Sequence, residues 1–317
     1  MKTVTIFGGS GFVGRHLVQQ LAKANYHIRV AVRRPSRAGF LQPLGGVSQI
    51  ETIAVDILDE ESVHEAVKGA EAVVNLVGII APSGRQKFNE IHIQGARSIA
   101  IAAKEADVRQ LVHMSALGAG EKSNSKYART KAHGEDAVLN MDPSAIIFRP
   151  SVIFGPEDEF FNRFANLMQL TPIMPVFAKN TKFQPVFVGD VASAISAAIM
   201  GKGTPGTIYE LGGPEIISML DVHKRIREFT GLRSLLLPLP LILAKILALI
   251  TSPLPNAPIT RDQIKLLKKD NVVSMQASSE NRTLTDISPI RPHSIDTIVP
   301  LYLDRFINHK KQSVSTS

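Results

Sequence analysis

The chain has 317 residues, of which 44% are hydrophobic and 20% are charged, and its net charge is +8. This length suits one large α/β unit or two subdomains, and the composition is neither collagen-like nor that of a disordered chain. Because cysteine is absent, a disulfide scaffold, a thiolate zinc site, an iron–sulfur cluster and a cysteine nucleophile are excluded.

The first half of the chain alternates β-branched apolar runs with amphipathic segments. The predicted strands are residues 4–7, 28–32, 52–55, 72–77, 110–114 and 145–148. The predicted helices are residues 11–24, 60–68, 89–106 and 126–139. Continuous apolar strands that alternate with helices are typical of a parallel sheet covered on both faces. We therefore predict an α/β fold with a doubly wound parallel Rossmann sheet, which places its ligand at the carboxyl ends of the strands.

A glycine-rich loop joins the first predicted strand to the first predicted helix. Its residues are Gly8, Gly9, Ser10, Gly11, Phe12, Val13 and Gly14. Gly8 and Gly9 permit a tight turn, and Gly11 lets backbone N–H groups approach a pyrophosphate. Gly14 allows the helix to pack closely on the strand, and the helix N-terminus adds partial positive charge. The strand–turn–helix context favours a dinucleotide site over a glycine turn without a ligand.

The end of the second predicted strand indicates which dinucleotide is bound. An NAD-binding chain carries Asp or Glu there to hold the ribose hydroxyls, whereas this chain carries Arg33 and Arg34. Two guanidinium groups suit the 2′-phosphate of NADP(H). We therefore predict NADP(H) as the cofactor, and the alternative is a solvated basic turn.

Further candidate cofactor contacts follow the third and fourth predicted strands. Asp56, beside Ile57, stands where a carboxylate can accept a hydrogen bond from the adenine amino group. The run Leu76, Val77 and Gly78 ends the fourth strand, where a small residue leaves room for the backbone of the cofactor. Each of these positions lies at the carboxyl end of its strand, as the fold requires.

A candidate catalytic set follows the fifth predicted strand. Ser115 comes directly after that strand, and Tyr127 and Lys131 lie four residues apart on a predicted helix. Residues four apart share a helix face, so we expect the ammonium of Lys131 to lower the pKa of Tyr127 and to contact the nicotinamide ribose of the cofactor. Ser115 is expected to hold the substrate oxygen and to contact the cofactor. A tyrosinate placed in this way can exchange a proton with a substrate oxygen while hydride moves.

None of the nine histidines lies four residues from another, so the sequence predicts no metal site. Scattered surface or packed histidines are the simpler interpretation.

After Arg149-Pro150 the alternation of strands and helices loosens. We predict short strands at residues 183–188 and 207–211 and helices at 191–200 and 218–229. The domain prediction is an NAD(P)-binding Rossmann domain over residues 1–155 and a smaller subdomain over 156–309. This smaller subdomain is expected to face substrate and membrane and to interleave with the sheet edge, and the polar residues 310–317 are expected to be a disordered tail.

Residues 235–250 are the most apolar run of the chain, and they lie inside its most basic stretch. Residues 222–269 contain nine basic and two acidic side chains, which leaves a local charge of +7. Two prolines and Lys245 interrupt the run, so it is too short to span a membrane. Apolar residues beside cations favour an anionic membrane surface as the partner of residues 235–269, and the alternative is a buried hairpin. Phosphate-binding surfaces seldom carry so many aliphatic side chains, so no nucleic-acid partner is predicted.

Several motifs resemble those of extended, atypical short-chain dehydrogenases/reductases. They are the loop at residues 8–14, the Tyr127/Lys131 pair, the run 149–156 (Arg-Pro-Ser-Val-Ile-Phe-Gly-Pro) and the run 183–192. The resemblance implies that Pro150, Ser151 and Val152 also contact the cofactor. Residues 154–158, 185–188 and 259–263 are similar to one branch in particular, the accessory subunits of respiratory complex I known as subunit nine of the alpha subcomplex, and their bacterial relatives.

That branch implies a tightly held NADPH that need not turn over, in a subunit that contacts the peripheral arm near the quinone site. Only eleven residues separate Ser115 from Tyr127, which leaves little loop for holding a substrate. Three hypotheses remain open: a structural or assembly subunit of complex I, a free NADP-dependent oxidoreductase or epimerase acting on a small or quinone-like substrate, and a redox-sensing regulator.

The apolar run that begins at Val4 is too short for a signal peptide. Together with the apolar, basic residues 235–269 and the resemblance to complex I subunits, this predicts a peripheral protein on the cytoplasmic face of a bacterial inner membrane, or on the matrix side in a mitochondrion.

Overall fold

The computed structural model describes residues 1–84, 86–251 and 259–307. Its contacts divide the chain into two compact units. The first unit contains Met1–Pro150, Val188–Leu211 and Val273–Pro292, and the second contains Ser151–Phe187, Gly212–Val272 and the segment from His293 onward. The chain therefore enters each unit more than once. The predicted tail at residues 310–317 lies outside the described residues.

The strands of the described residues are β1 (Thr3–Phe7), β2 (His27–Val32), β3 (Ile50–Ala54), β4 (Ala72–Asn75), β5 (Gln110–Met114), β6 (Ile146–Pro150), β7 (Ile153–Phe154), β8 (Ile173–Phe177), β9 (Lys182–Phe183), β10 (Val186–Phe187), β11 (Ile208–Leu211), β12 (Ile217–Ser218) and β13 (Leu235–Leu239). The α-helices are α1 (Phe12–Lys23), α2 (Glu60–Val67), α3 (Gly95–Glu105), α4 (Lys126–Met141), α5 (Phe161–Leu170), α6 (Val188–Ile199), α7 (Met219–Thr230), α8 (Leu241–Thr251), α9 (Arg261–Leu266), α10 (Met275–Ser279), α11 (Leu284–Ile287) and α12 (Ile295–Leu303).

The first unit is built on a seven-stranded sheet with the order β11-β6-β5-β4-β1-β2-β3. All of its strand pairs are parallel. The helices that flank this sheet form two groups, in which α1 packs against α6, and α3 packs against α2 and α4. The strand order reverses between β1 and β4, which is where open parallel sheets bind their ligands. The predicted doubly wound Rossmann sheet is therefore confirmed, together with its first six strands and the predicted edge strand near residue 208.

Two predicted elements differ from the structure. The predicted helix at residues 89–106 begins with a π-helical turn, Glu90–Gln94, before α3 starts at Gly95. The predicted strand at residues 183–188 was wrong, since Pro185 separates the two-residue strands β9 and β10, and α6 starts at Val188. Proline cannot donate to a strand ladder. Helix α6 is buried along most of its length, so its β-branched residues give no amphipathic pattern that would distinguish helix from strand.

The second unit packs α5, α7 and α12 around a core that includes Phe154 and Phe161. Its strands β8 and β13 pair in parallel, with Leu235 beside Ile173. Helix α8 follows β13 directly and buries only its small residues Ala244 and Ala248, which pack with Ile264 of α9. The large aliphatic side chains of α8 remain on the surface.

Within the described residues, no helix combines the length and the apolar character needed to cross a membrane.

Candidate functional site

The glycine loop between β1 and α1 is tightly packed on one side. Gly8 has φ +79°, a left-handed conformation that favours glycine. A Cβ atom on Gly14 would lie 2.5 Å from the carbonyl oxygen of Gly9 and 2.6 Å from that of Gly8, so any side chain there would force the helix off the loop. Gly9 is similarly confined, because its Cβ would lie 2.8 Å from Val30. These contacts show that the loop is tightly packed at Gly8, Gly9 and Gly14, whereas nucleotide binding by the loop stays a prediction.

The loop is open at the N-terminus of α1. Gly11 is exposed and is the N-cap residue of α1, and no side chain caps the helix there. The first N–H groups of a helix need partners and carry partial positive charge, so an uncapped start beside a glycine suits an anionic group such as a pyrophosphate. Ser10 and Phe12 flank this opening and are half-buried. Val13 is buried in the core, so only its backbone could contact a ligand.

Both arginines at the end of β2 are exposed. With the Gln86 amide turned so that its oxygen faces Arg33, this oxygen accepts hydrogen bonds from Nη1 and Nη2 of Arg33 at 2.7 and 3.2 Å. Arg34 precedes a 3₁₀ turn at Pro35–Arg37. A pair of guanidinium groups therefore stands at the carboxyl end of the strand next to the glycine loop, with one of them oriented by an amide.

The predicted contacts after β3 and β4 lie at the same end of the sheet. Asp56 is exposed, and its Oδ1 accepts from the backbone N–H of Leu58 at 3.1 Å. The side chain of Ile57 is buried against Gly95. A Cβ on Gly8 would lie 3.3 Å from both Leu76 and Val77, so the glycine loop packs against the segment that follows β4. Gly78, the next residue, is exposed.

Ser115, Tyr127 and Lys131 all belong to the first unit. Ser115 is 4% exposed, and its hydroxyl has no hydrogen-bond partner among the described residues. Lys131 is also buried and donates from Nζ to the carbonyl oxygen of Met114 at 2.6 Å. Ser125 caps the N-terminus of α4 by accepting from the N–H of Ala128, which fixes the start of the helix that carries Tyr127 and Lys131.

The expectation that Lys131 lowers the pKa of Tyr127 was wrong. Burial raises the pKa of Tyr127 to about 12. Burial also lowers the pKa of Lys131 to about 8, and the carboxylate of Glu135 opposes this shift. Removing both groups from water disfavours their charged forms, and for the tyrosine this effect is larger than any attraction to the ammonium. The phenol is therefore held in its protonated form.

A buried ion pair lies one helical turn beyond Lys131. Glu135 is on the same face of α4, and its carboxylate accepts two hydrogen bonds from Arg149 of β6, the first at 2.9 Å. This pairing raises the pKa of Arg149 and gives the charge of Glu135 a partner inside the protein. Glu135 was not among the predicted site residues, although its i, i+4 spacing from Lys131 places it on the same helix face.

Two buried histidines near Lys131 were also missed. His92 and His113 are each 2% exposed. Burial, and after it the charge of Lys131, lowers the pKa of His92 to about 3 and that of His113 well below its usual value. Both imidazoles are therefore neutral. Among isolated histidines, nothing in the sequence distinguishes these two from surface ones.

The predicted contacts after β6 are divided in the chain between the two units. Pro150 ends the first segment of the first unit, and Ser151 and Val152 belong to the second unit. The hydroxyl of Ser151 donates to Oδ1 of Asn271 at 2.7 Å, and the same oxygen accepts from the N–H of Val152. The side chain of Ser151 thus has a structural partner, which the sequence pattern did not indicate.

The described part of the chain contains one surface group of potential metal ligands. Glu121, His133 and Asp136 each place a ligand atom within 4.8 Å of the others at exposed positions. Such groups commonly occur on protein surfaces without a metal, so the cluster does not define a site. The predicted absence of a metal site stays a prediction.

A doubly wound sheet with a glycine loop at its switch point and a Ser–Tyr–Lys set after β5 defines a dinucleotide-binding protein of the short-chain dehydrogenase/reductase class. The model of the NAD dependent epimerase/dehydratase family matches residues 4–212. The chain belongs to this family.

Curated relatives extend the similarity beyond the Rossmann sheet. The chain is 35% identical over 290 residues to the mitochondrial NADH dehydrogenase (ubiquinone) 1 alpha subcomplex subunit 9 of Arabidopsis thaliana, covering 86% of this chain and 71% of that one. It is 30% identical over 298 residues to the subunit of the same name from Mus musculus, covering 93% of this chain and 79% of that one. The similarity therefore includes the second unit.

Among solved structures, the fold is similar to that of a UDP-glucuronic acid 4-epimerase from Bacillus cereus in complex with UDP-glucuronic acid and NAD. The TM-score is 0.72 at 20% identity, with 96% of this chain and 99% of that chain covered. At this identity the likeness establishes the fold alone.

A nicotinamide dinucleotide fits the residues of the first unit. The uncapped N-terminus of α1 behind Gly11 suits the pyrophosphate, and the confined glycines keep that opening in shape. Ser115 offers a buried hydroxyl without a partner among the described residues. Since the family is NAD dependent, a nicotinamide dinucleotide is the ligand class that this cradle takes.

Proposed function

We propose that this protein is an accessory or assembly subunit of respiratory complex I that holds NADP(H) as a structural cofactor at the membrane surface. The observation that carries the proposal is its similarity to alpha subcomplex subunit 9 of a plant and a mammal over 86% and 93% of the chain. This similarity continues past residue 212, where the match to the family model ends, into the later segments of the second unit. Other subunits of the peripheral arm near the quinone site are the proposed partners.

Different residues are proposed to bind each part of the nucleotide. The N–H groups behind Gly11 hold the pyrophosphate, Arg33 and Arg34 hold the 2′-phosphate, and Asp56 accepts from the adenine amino group. The backbone of residues 76–78, together with Lys131 and Ser115, lines the nicotinamide half. The backbone of Pro150 and Val152 is proposed to contribute as well. When bound, the nicotinamide ring of the cofactor can act as a hydride donor or acceptor.

The chain should prefer NADPH to NADH. Charge-assisted hydrogen bonds from Arg33 and Arg34 to the 2′-phosphate are expected to favour NADPH by about tenfold or more in affinity. Calorimetry with both nucleotides measures the ratio. Replacing both arginines by serine should bring the two affinities together, whereas Arg97→Ser, at an exposed position of α3, should not change the ratio. Equal affinities of the wild-type protein for the two nucleotides would exclude the predicted selectivity.

The second unit offers an exposed apolar surface that suits a membrane. Its residues, here called the docking surface, come from β8, β13 and α8: Ile173, Leu235, Leu237, Ile242, Leu243, Ile246, Leu249 and Ile250, each between 42% and 69% exposed. Helix α8 buries alanines and exposes leucines and isoleucines, the reverse of a water-soluble amphipathic helix. An apolar patch of this kind needs a partner.

Basic side chains accompany the docking surface. Lys245 is exposed on α8, and Lys265, Lys268 and Lys269 are exposed on or just after α9, which packs on α8 through Ile264. Part of the basic stretch is neutralised elsewhere, since Lys224 pairs with Asp221, and Arg225 pairs with Glu215 and Asp296. The lysines near α8 support an anionic bilayer as the partner.

The protein should bind vesicles that contain anionic lipid, and salt should weaken the binding. Leu243→Asp combined with Ile246→Asp removes apolar insertion and should abolish binding. Replacing Lys265, Lys268 and Lys269 by glutamine should weaken it roughly 100-fold, at about 1 kcal/mol for each charge. The control is Met275→Asp, at an exposed apolar position of the first unit. If the wild-type protein does not sediment with such vesicles at low salt, a protein interface is the better assignment for this surface.

The proposed function is tested by purification of a tagged protein from detergent-solubilised membranes of its source. The NADH-oxidising arm of complex I should co-purify with it, and loss of the protein should lower the amount of assembled complex. A tagged protein that is recovered alone, with the complex assembled normally in its absence, would contradict the proposal.

A second candidate function is a free NADP-dependent oxidoreductase or epimerase acting on a small or quinone-like substrate. The set of Ser115, Tyr127 and Lys131 favours it, as does the buried hydroxyl of Ser115, for which the described part of the chain supplies no hydrogen-bond partner. The high pKa of Tyr127 argues for the structural role, because proton exchange is most effective when the pKa lies near the working pH.

Tyr127→Phe separates the two candidates. In a structural subunit, this change removes only a phenolic hydroxyl, so NADPH affinity should stay within about threefold and complex assembly should be unchanged. In an enzyme, loss of the proton donor should lower turnover by about 100-fold or more. The measurements are calorimetric NADPH affinity and the amount of assembled complex in cells that carry the variant. A respiratory defect with the protein folded, loaded and assembled would favour the enzyme.

A further inference from the structure

His92 is held by two hydrogen bonds that define its tautomer. The backbone N–H of Ile79, in the segment after β4, donates to Nε2 at 3.1 Å. On the other side of the ring, Nδ1 lies 3.0 Å from the hydroxyl of Thr130 on α4. Because Nε2 accepts, the ring proton is on Nδ1 and is donated to Thr130. The Thr130 hydroxyl in turn donates to a backbone carbonyl of α4, Lys126 or Tyr127.

The backbone around His92 allows α4 to come close enough for the hydrogen bond between His92 and Thr130. His92 lies in the π-helical turn Glu90–Gln94, an irregularity that often occurs at functional sites. A side chain on Gly134 of α4 would clash with the carbonyl oxygen of His92, so glycine is what lets α4 approach this turn. Phe88 stacks on the imidazole at 5.4 Å between ring centroids, and the Tyr127 ring meets it edge-on at 5.5 Å. The imidazole thus packs against two aromatic rings and is hydrogen-bonded at both nitrogens.

The side chains of His92 and Lys131 both lie close to Gly78, in the turn that follows β4. A Cβ on Gly78 would lie 3.7 Å from Nζ of Lys131 and 3.9 Å from Nε2 of His92. The N–H that His92 accepts belongs to the next residue, Ile79. Through this hydrogen bond and the one between His92 and Thr130, the exposed turn at Gly78 is joined to α4, the helix that carries Tyr127 and Lys131.

We propose that His92 is a positioning residue that joins the turn at residues 78–79 to α4 and so preforms the part of the site that receives the nicotinamide half of the nucleotide. This inference rests on the proposed NADP(H) binding. Without the imidazole, Ile79 N–H loses its acceptor and the turn is released from α4. The nicotinamide half then has to order the turn as it binds, which weakens its binding. The adenosine half, held by the glycine loop and the arginines, is unaffected.

Neutrality of His92 is part of this role. A protonated imidazole would present a proton to the Ile79 N–H instead of a lone pair and would place a second positive charge beside Lys131. Burial and the Lys131 charge keep the ring neutral, with its pKa lowered to about 3. The hydrogen bond from the Ile79 N–H to His92 is therefore insensitive to pH over the range in which Lys131 titrates.

The test compares two ligands on matched variants of the full chain. NADPH contains both halves, whereas adenosine 2′,5′-bisphosphate contains the adenosine and the 2′-phosphate and lacks the nicotinamide half. His92→Asn can still donate to Thr130 but offers no acceptor at the Nε2 position, whereas His92→Gln places an amide oxygen there. Calorimetry gives the affinity of each variant for both ligands, and thermal unfolding shows that each is folded.

His92→Asn should bind NADPH about tenfold more weakly than the wild-type protein, the loss that corresponds to one buried hydrogen bond. Its affinity for adenosine 2′,5′-bisphosphate should stay within about twofold. His92→Gln should recover most of the NADPH affinity. Thr130→Val, which keeps the shape of the side chain but removes the partner of Nδ1, should give an intermediate loss for NADPH alone.

Two results would overturn the proposal. The first is wild-type NADPH affinity in His92→Asn, and the second is an equal loss for both ligands in Thr130→Val with the protein folded, which would indicate a general structural role. Failure of the proposed NADP(H) binding gives a different result, because the wild-type protein would then bind neither ligand.

Discussion

Gly11→Val is expected to abolish nucleotide binding while the protein remains folded. Gly11 is exposed at the start of α1, and a Cβ there would meet only the carbonyl oxygen of Gly8 at 3.2 Å. The branched side chain would instead occupy the space in front of the N–H groups that are proposed to hold the pyrophosphate. We expect affinity for NADPH to fall by more than about 100-fold, measured by calorimetry, with a small decrease in melting temperature.

Two other glycines provide the controls for this prediction. Gly14→Ala should prevent folding, because its Cβ would lie 2.5 Å from a loop carbonyl oxygen. Gly46→Val should change neither folding nor affinity, since Gly46 is exposed and its Cβ would make only an ordinary contact, 3.6 Å from Gln49. Nucleotide affinity of Gly11→Val within threefold of the wild-type value would show that the loop does not hold the pyrophosphate.

Asp158→Ala is expected to destabilise the second unit strongly. The carboxylate is 4% exposed and accepts from the N–H groups of Phe160 and Asn162 at 2.9 and 3.0 Å, and from that of Gly155 at 3.2 Å. The hydroxyl of Tyr302 on α12 donates to it at 2.6 Å. Removing the carboxylate leaves four donors without their partner, which should cost about 3–5 kcal/mol in the free energy of unfolding.

Urea denaturation monitored in the second unit measures this loss. Tyr302→Phe, which deletes one donor and leaves the backbone bonds in place, should cost about 1–2 kcal/mol. The burial of the Tyr302 hydroxyl against the carboxylate raises its pKa above the usual range, so this contact should persist up to alkaline pH. Glu159→Ala, at an exposed neighbouring position, should be nearly neutral. An Asp158→Ala protein as stable as Glu159→Ala would show that the network adds nothing.

Asp158 also illustrates how a motif can be found in a sequence without its role being evident. Residues 154–158 contributed to the resemblance with complex I subunits, yet nothing in that run indicates that Asp158 would join its own turn to Tyr302, 144 residues further along the chain. The partner of Ser151 is similar, because Asn271 lies 120 residues away. Pairs this distant leave no periodic pattern in a local window.

The pKa of Tyr127 is likewise a property that the local sequence could not predict. The spacing from Lys131 correctly placed the two residues on α4, but their protonation depends on how much of each is removed from water. That quantity is set by the residues packed around them, among them Phe88 and His92. Local spacing therefore predicts which groups are neighbours, whereas burial decides which form of each group is stable.

By itself, the sequence determined the doubly wound sheet, the glycine loop at the start of the first helix, and the placement of Tyr127 and Lys131 on one helix. Each of these features is visible within a short stretch of sequence, as an apolar run, a helical spacing or a set of glycines at a strand–helix turn. Only the tertiary structure decided that α8 buries its alanines and exposes its leucines, and that His92 joins the turn after β4 to α4. Burial and hydrogen-bond pairing depend on residues brought together from distant parts of the chain, and composition alone cannot indicate which face of an apolar helix is covered.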